Sequence, residues 1–515
     1  MIRFEYMNRS RCAIKCTLEQ LSSIRARYTT LDPNARYIAH GSGEICPISV
    51  TGTFDIPLLL EIASGVRKLF PEESLEIAPE LIPIVRPSLN VDSIVEPINS
   101  SIVLRGYQRD AASAMLKYGR GVLKVPTRGG KSLILYTVVS SIFSARKDIR
   151  TMFLMVPNTQ LINQMANDFE NYGTDGRFKV VKFSSSSRDE VPESDPCQRI
   201  IITNRQWMMQ HIDGLPKKID VVFVDECHTC SAPHRVNGHL EGGFATRFTK
   251  MFSTNFKFGM SATDSDNVKN KWNVKKLFGP VVYEVPFSAL EENGFVAKPE
   301  IIPIEVMFSG EVNFGDGQER REVEVDEFGH LIITDEERET ENGYVLESQF
   351  LAQSKEFNSI VSRIVDSSTK EGNCLVLFDR TAHGRLIYDM IGSANKYFID
   401  GSVDVKEREK IVKVLSSNNH AALVAQTATM GVGLTIRSLS TAVLINLKSA
   451  TTVTLQGIGR GLMVEEGKRC LRIYDVYANG RGRMFKYSIK HRENRMKLFS
   501  DYYGAESPAP HRIEL

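Results

Sequence analysis

The sequence predicts an α/β protein with two parallel-sheet domains in tandem behind a small N-terminal α/β domain. Short, largely apolar runs alternate with amphipathic stretches between residues 99 and 300, and the same rhythm returns between 351 and 480. Continuous apolar strands separated by helices are the mark of a parallel sheet covered on both faces. A length of 515 residues gives room for about three domains.

Taken in order, residues 1–98 mix short strand patterns with one strong helical pattern, "PLLLEIASGVRKLF" at 57–70, and close on the proline-punctuated "APELIPIVRPSLN". The domain 99–300 carries the runs "GVLKV", "TMFLMV", "RIIIT", "DVVFVDE" and "FKFGMSAT". Residues 301–350 read as an inter-domain segment, polar and acidic, in which "REVEVDEFGHLIIT" has the pattern of a β-hairpin turning near Phe328-Gly329. A solvated insertion is the plainer reading of that hairpin, and a pin that guides nucleic-acid strands the other. The domain 351–515 brings "NCLVLF", "KYFIDG", "AALVAQ", "TAVLIN" and "CLRIYDV", then a basic tail.

Composition sets bounds. With 42% hydrophobic and 24% charged residues the chain is ordinary for a globular protein, and a net charge of +2 excludes a uniformly basic one. The eight cysteines form no dense framework, and neither the opening "MIRFEYMNRS" nor any later stretch has the apolar length of a signal peptide or membrane span. The expectation is a soluble protein of a reducing compartment, with no membrane partner. Cys227 and Cys230 form a C-x-x-C, but without a second pair at zinc spacing they read as structural.

The chemistry begins at "KVPTRGGKS", residues 124–132. It ends as a phosphate-binding loop does, yet Val125 stands where the first glycine of G-x-x-x-x-G-K-[ST] belongs. A strand pattern leads in and an apolar helical run leads out, so backbone N–H groups of the turn and the helix start can surround phosphate oxygens. Thr127, Gly129 and Gly130 form the turn, Lys131 supplies a positive charge, and Ser132 offers a hydroxyl to Mg2+. The required partner is "IDVVFVDECHT", a buried-type strand ending in Asp225 and Glu226. Adjacent carboxylates at a strand end are costly unless used. Asp225 can hold the magnesium through water, and Glu226 can position and deprotonate the attacking water.

"VPTRGGKS", "VDECH" and "MSATD", in this order, resemble motifs I, II and III of superfamily 2 helicases. "LRGYQRDA" is similar to their Q motif, "VPNTQLINQ" to motif Ia, and "ITNRQW" to the next DNA-facing motif. "LVLFDRTAHG", "VAQTATMGVGLTIRSL" and "LQGIGRGL" resemble motifs IV, V and VI. The resemblance implies two RecA-like domains using ATP and Mg2+. It places Gln108 and Arg105 against adenine, the Gly433 backbone along the nucleotide, Gln456 nearby, and Arg460 as the arginine finger on the γ-phosphate. Ser261 and Thr263 would link the nucleotide state to the strand-binding side. One departure stands out: the pattern Q-x-x-G-R-x-x-R ends in Met463, leaving Arg460 alone or helped by Arg469.

The overall pattern, with "DECH" and a loop of the form P-T-x-x-G-K-S, resembles the UvsW-type recombination and repair helicases of bacteriophages. Their N-terminal domain is similar to residues 35–70, an aromatic-basic strand, a turn, a second strand and a helix. That family implies work on branched DNA, by branch migration, fork regression or R-loop removal, in a host cytoplasm; a monomer is compatible with it. Arg3, Arg9, Arg11, Lys15, Arg25, Arg27, Arg36, Arg67 and Lys68 could make 1–98 a DNA-binding accessory. The tail "GRGRMFKYSIKHRENRMK", basic with interleaved aromatics, could bind phosphates and stack on bases, or could pack as an ordinary helix. An RNA helicase, a translocase subunit of a restriction-type complex, and a nucleic-acid-binding scaffold with a degenerate ATP site are the competing readings.

Overall fold

The computed structural model describes residues 1–31, 44–174, 176–184, 197–211, 218–228, 235–236, 239–240, 248, 252–263, 268–309, 343–417, 419–430, 439–445, 458–459, 462, 470–480, 485–505 and 508–515. It divides into two compact units, Met1–Val285 and Pro286–Leu515.

The first unit opens with a four-stranded sheet in the order Thr53–Asp55, Arg11–Lys15, Ile2–Tyr6, Leu75–Ile77. The first three are antiparallel neighbours and the last pair is parallel. Ile2 and Phe4 alternate inward along their strand, as a half-covered sheet requires. The helix expected over 57–70 is Leu59–Leu69, entered through a 3-10 turn at Ile56–Leu58 where Pro57 presets the backbone. A side chain at Gly65 would begin 1.9 Å from the Tyr28 hydroxyl, so only glycine lets this helix lie so close to its neighbour Leu18–Tyr28. The aromatic-basic strand read at 35–40 lies outside the described residues.

This small domain is tied to the sheet that follows. Lys275 Nζ meets Glu61 at 2.8 Å, and Trp272 sets its edge against Tyr28. Arg120 donates to the carbonyls of Ile84 (2.9 Å), Leu277 (3.0 Å) and Phe278 (3.2 Å), knotting residues 82–85 to the carboxyl end of helix Val268–Phe278. A cation is favoured at that end of a helix, and the carbonyls replace the water that Arg120 loses; burial pushes its pKa down to about 10.

The sheet itself has seven strands in the order Val281–Glu284, Gly121–Lys124, Phe256–Ser261, Val221–Val224, Thr151–Val156, Arg199–Asn204, Lys179–Phe183. Every neighbour is parallel. All five apolar runs read from the sequence are strands here. Helix Lys131–Ala145 is buried from Leu133 to Phe143 on all sides, which explains its lack of a polar face.

The second unit holds another seven-stranded parallel sheet: Lys396–Ile399, Ala422–Gln426, Asn373–Phe378, Leu439–Ile445, Cys470–Gly480, Lys298–Phe308, His511–Glu514. The domain boundary expected at 300/301 needs correction, because it cuts through Lys298–Phe308. Residues 301–308 belong to this sheet and not to a connector. Pro299 and Pro303 disguise the strand, but they lie before Ile304, where its second partner strand begins, so their missing N–H groups leave no ladder bond unmade on that side. The expected hairpin at 321–334 lies outside the described residues.

The basic tail forms helix Lys486–Tyr503. Its Arg495 is fully buried, with Nε and Nη2 each 2.9 Å from Asp475 Oδ1, and Met496, Phe499 and Tyr503 share the inward face. Part of the tail's basic character is therefore packing. Among the described residues no helix is long and apolar enough to cross a membrane, and the seven described cysteines are free thiols.

Candidate active site

Three neighbouring strands of the first sheet, Gly121–Lys124, Phe256–Ser261 and Val221–Val224, end side by side. From these ends rise the phosphate-type loop, the "SAT" segment and the "DECH" segment. Val125 is fully buried, and its N–H donates to Ser261 O at 3.1 Å. It prolongs the strand pairing and leaves the turning to the residues after it, so a glycine is not needed there. The turn proper closes with Gly129 N–H on Pro126 O at 3.0 Å. Arg128 and Gly130 have φ of +73° and +74°, the first a costly backbone state for a residue with a Cβ.

Lys131 is the first residue of its helix, with Gly130 at the N-cap. Its Nζ lies 3.1 Å from Glu226 Oε1. Glu226 follows directly on Asp225 in a left-handed backbone state, φ +48°. That bend turns the second carboxylate toward the loop while Asp225 N–H stays bonded to Met155 O at 2.8 Å. His228 Nδ1 is 2.8 Å from Ser261 Oγ and 3.4 Å from Glu226 Oε2, and Ser261 Oγ donates to Thr263 O at 2.6 Å. The "DECH" and "SAT" segments are thus joined through one imidazole.

Asp225 is wholly buried, and burial raises its pKa to about 6, with Lys131 pulling it down and Glu226 pushing it up. Its Oδ1 has no hydrogen-bond partner among the described residues. A buried, unpartnered carboxylate oxygen suits a hard cation that keeps part of its water shell, so Asp225 fits Mg2+.

Gln108 is buried at 3% exposure, on helix Gly106–Tyr118. Its Oε1 accepts from Arg105 N–H at 3.0 Å and its Nε2 donates to Gly129 O at 3.3 Å. Tyr107 OH also donates to Gly129 O at 3.0 Å and receives Arg105 Nη1 at 3.0 Å. These residues brace the back of the loop, and Tyr107 joins them without any signal in the sequence beyond adjacency. Thr127 is half-buried within the turn. Gly433, Gln456 and Arg460, with Met463 and Arg469, lie outside the described residues.

On the neighbouring strands, Asn158 caps helix Thr159–Tyr172 and Asn204 caps helix Arg205–Gln210. Asn204 Nδ2 also donates to Thr159 Oγ1 at 2.8 Å, so two helix N-termini stand together at adjacent strand ends. Trp207, by contrast, is a core residue packed on Phe183 and His211.

Comparison with known proteins concerns the chain as a whole. Residues 101–266 match the family described as "Type III restriction enzyme, res subunit", and residues 356–462 match "Helicase conserved C-terminal domain". The chain is 24% identical over 424 residues to the ATP-dependent DNA helicase uvsW of Enterobacteria phage T4, covering 78% of this chain and 76% of that protein. It is 25% identical over 248 residues to the DNA 3'-5' translocase XPB2 of Sulfurisphaera tokodaii, 48% of each chain. The ATP-dependent Type ISP restriction-modification enzyme LlaBIII bound to DNA shares the fold at a TM-score of 0.54 and 12% identity, over 88% of this chain and 34% of that one. The order of the motifs and the two parallel sheets go with these matches: the chain is similar to helicases of superfamily 2 and, over most of its length, to the phage helicase uvsW.

Proposed function

We propose that the protein is an ATP-dependent DNA helicase and translocase that remodels branched DNA, by branch migration, fork regression or displacement of a paired strand. The observation that carries the motor reading is the 3.1 Å contact of Lys131 with Glu226 beside the buried Asp225, beyond the ends of two strands with Phe256–Ser261 between them. The branched substrate is supported by the match over most of the chain to a phage DNA helicase of the UvsW type.

In this mechanism Lys131 leaves Glu226 for the β- and γ-phosphates, freeing the carboxylate to accept a proton from the attacking water. Ser132 and Asp225 would hold Mg2+, which when bound would screen the phosphate oxygens. Gln108 and Arg105 read the adenine, for which the Gln108 amide exchanges its backbone partners. Gly433, Gln456 and Arg460 are assigned to the nucleotide from their motifs, Arg460 neutralising charge as the γ-phosphate departs. The segments 156–164 and 202–207 are assigned to the nucleic-acid strand from their motifs, and residues 1–98 to an accessory DNA-binding domain.

The test compares ATP-driven processing of a mobile four-way junction, a fork and a plain duplex, with Lys131→Ala as the inactive control, and ATPase stimulation by DNA and by RNA. Junction or fork processing well above the duplex, with DNA the stronger stimulant, is expected. Preferential stimulation by RNA would replace this reading with an RNA helicase, and equal processing of all three substrates would remove the branched specificity.

A further inference from the structure

The Gly129 carbonyl is held by two side chains from outside the phosphate loop. Tyr107 OH reaches it at 3.0 Å and Gln108 Nε2 at 3.3 Å, both from the first turn of helix Gly106–Tyr118. The direction of the first bond is forced. Arg105 Nη1 lies 3.0 Å from the same hydroxyl, and a guanidinium can only donate. The hydroxyl therefore accepts from Arg105 and sends its one proton to the carbonyl. Donation from a cation polarises the O–H and strengthens the bond it makes in turn.

These two donors hold the peptide between Gly129 and Gly130. A trans peptide is planar, so its carbonyl and its N–H point opposite ways. Fixing Gly129 O on the side of Tyr107 thus fixes the Gly130 N–H on the other side. A peptide flanked by two residues without Cβ also meets the fewest steric barriers to turning over. Turned over, it would show an anion a carbonyl oxygen in place of an N–H. Gln108 is also assigned to adenine, and its amide leaves the carbonyl when it turns to the base. Tyr107 is then the side-chain donor that stays.

We propose that Tyr107 is a positioning residue for nucleotide binding: its hydroxyl holds the Gly129–Gly130 peptide so that the Gly130 N–H is presented to phosphate. This rests on the reading of residues 124–132 as a phosphate loop. A direct contact of Tyr107 with the base and a merely packed ring are the competing explanations.

The experiment measures equilibrium binding of a fluorescently labelled ADP to the full chain, with GDP followed by displacement of that label. Wild type, Tyr107→Phe, Gln108→Ala, the double variant and Lys131→Ala are compared, and thermal midpoints are recorded alongside. Tyr107→Phe alone is expected to weaken ADP binding about five-fold, the ordinary net worth of one hydrogen bond. With Gln108→Ala in place there is no amide to hold the carbonyl or to select the base. Adding Tyr107→Phe to that background should weaken ADP and GDP by the same factor. A loss confined to ADP there assigns Tyr107 to the base and overturns the proposal. Unchanged affinity for both nucleotides leaves only a packed ring and overturns it as well. If Lys131→Ala leaves ADP binding unshifted, the phosphate-loop reading fails first.

Discussion

Lys131 Nζ and Glu226 Oε1 are 3.1 Å apart although 95 residues separate them in the chain. Each offsets the other's charge in a half-buried setting, so removing either costs the one left behind this contact. Glu226→Gln keeps the shape and a hydrogen bond to the ammonium while losing the base. It is expected to bind ATP and release phosphate at least about 100-fold more slowly in single turnover. Lys131→Ala should weaken nucleotide binding as well. Turnover within a few-fold of wild type in Glu226→Gln would take the proton-accepting role away from this residue.

A Cβ at Gly130 would lie 2.2 Å from Gln108 Nε2, on a backbone of φ +74°. Gly130→Ala therefore suffers both a steric push on the brace behind the loop and about 1–2 kcal/mol of backbone strain. Nucleotide binding weakened roughly ten-fold, the equivalent of about 1.4 kcal/mol, is the expected result by fluorescence titration. Unaltered affinity would mean that Gln108 and the loop move independently.

Arg460→Ala tests the assignment made from the motif series alone. Phosphate release should fall by about 1,000-fold or more, while labelled-nucleotide affinity stays within a few-fold. A near-normal kcat would exclude Arg460 from the hydrolytic step.

The basic tail divides into two expectations. Arg495 is paired with Asp475 out of solvent, so Arg495→Ala should destabilise the second unit by about 3–5 kcal/mol, read by chemical denaturation. Lys486, Lys490 and Lys497 are exposed on the same helix. Changing these three to alanine should leave folding intact and flatten the salt dependence of DNA binding, by about 0.7–0.9 in slope for each phosphate that is no longer neutralised. An unchanged slope would reduce the helix to a packing element.

His383 supplies a pH dependence. Its Nε2 lies 2.8 Å from Asn358 Oδ1, and burial lowers its pKa to about 4. The unfolded chain takes up a proton near the ordinary value of 6.5 while the folded chain does not, so stability is lost as pH falls from 6.5 toward 4. Between pH 7 and pH 5 this one group should cost about 2 kcal/mol. His383→Gln should show a shallower decline in a calorimetric pH series; an equally steep one would place the acid sensitivity elsewhere.

The central strands of both sheets were legible because burial on two faces leaves an uninterrupted apolar run, as in Thr151–Val156 and Asn373–Phe378. Lys179–Phe183 at one edge was not, since only one neighbour pairs with it and lysines intrude. Lys298–Phe308 was hidden by its two prolines, whose tolerance depends on which partner strand lies alongside. In the site, Lys131, Ser132, Asp225 and Glu226 were readable from strand-loop-helix context and spacing. Tyr107 and Tyr172 were not, because nothing local to them signals their contacts with Gly129 and Ser132.

By itself, the sequence determined which residues carry charge, which segments must be buried, and the order in which the motifs arrive, since composition and periodicity are properties of the chain alone. Tertiary structure decided which strand ends are neighbours, and through that the meeting of Lys131 with Glu226 and of Ser132 with Tyr172. It also settled how Val125 is accommodated and why Arg495 is core rather than surface. The physical reason is that strand order in a parallel sheet is fixed by crossover packing, which brings together residues far apart in sequence and leaves no trace in either one's local pattern.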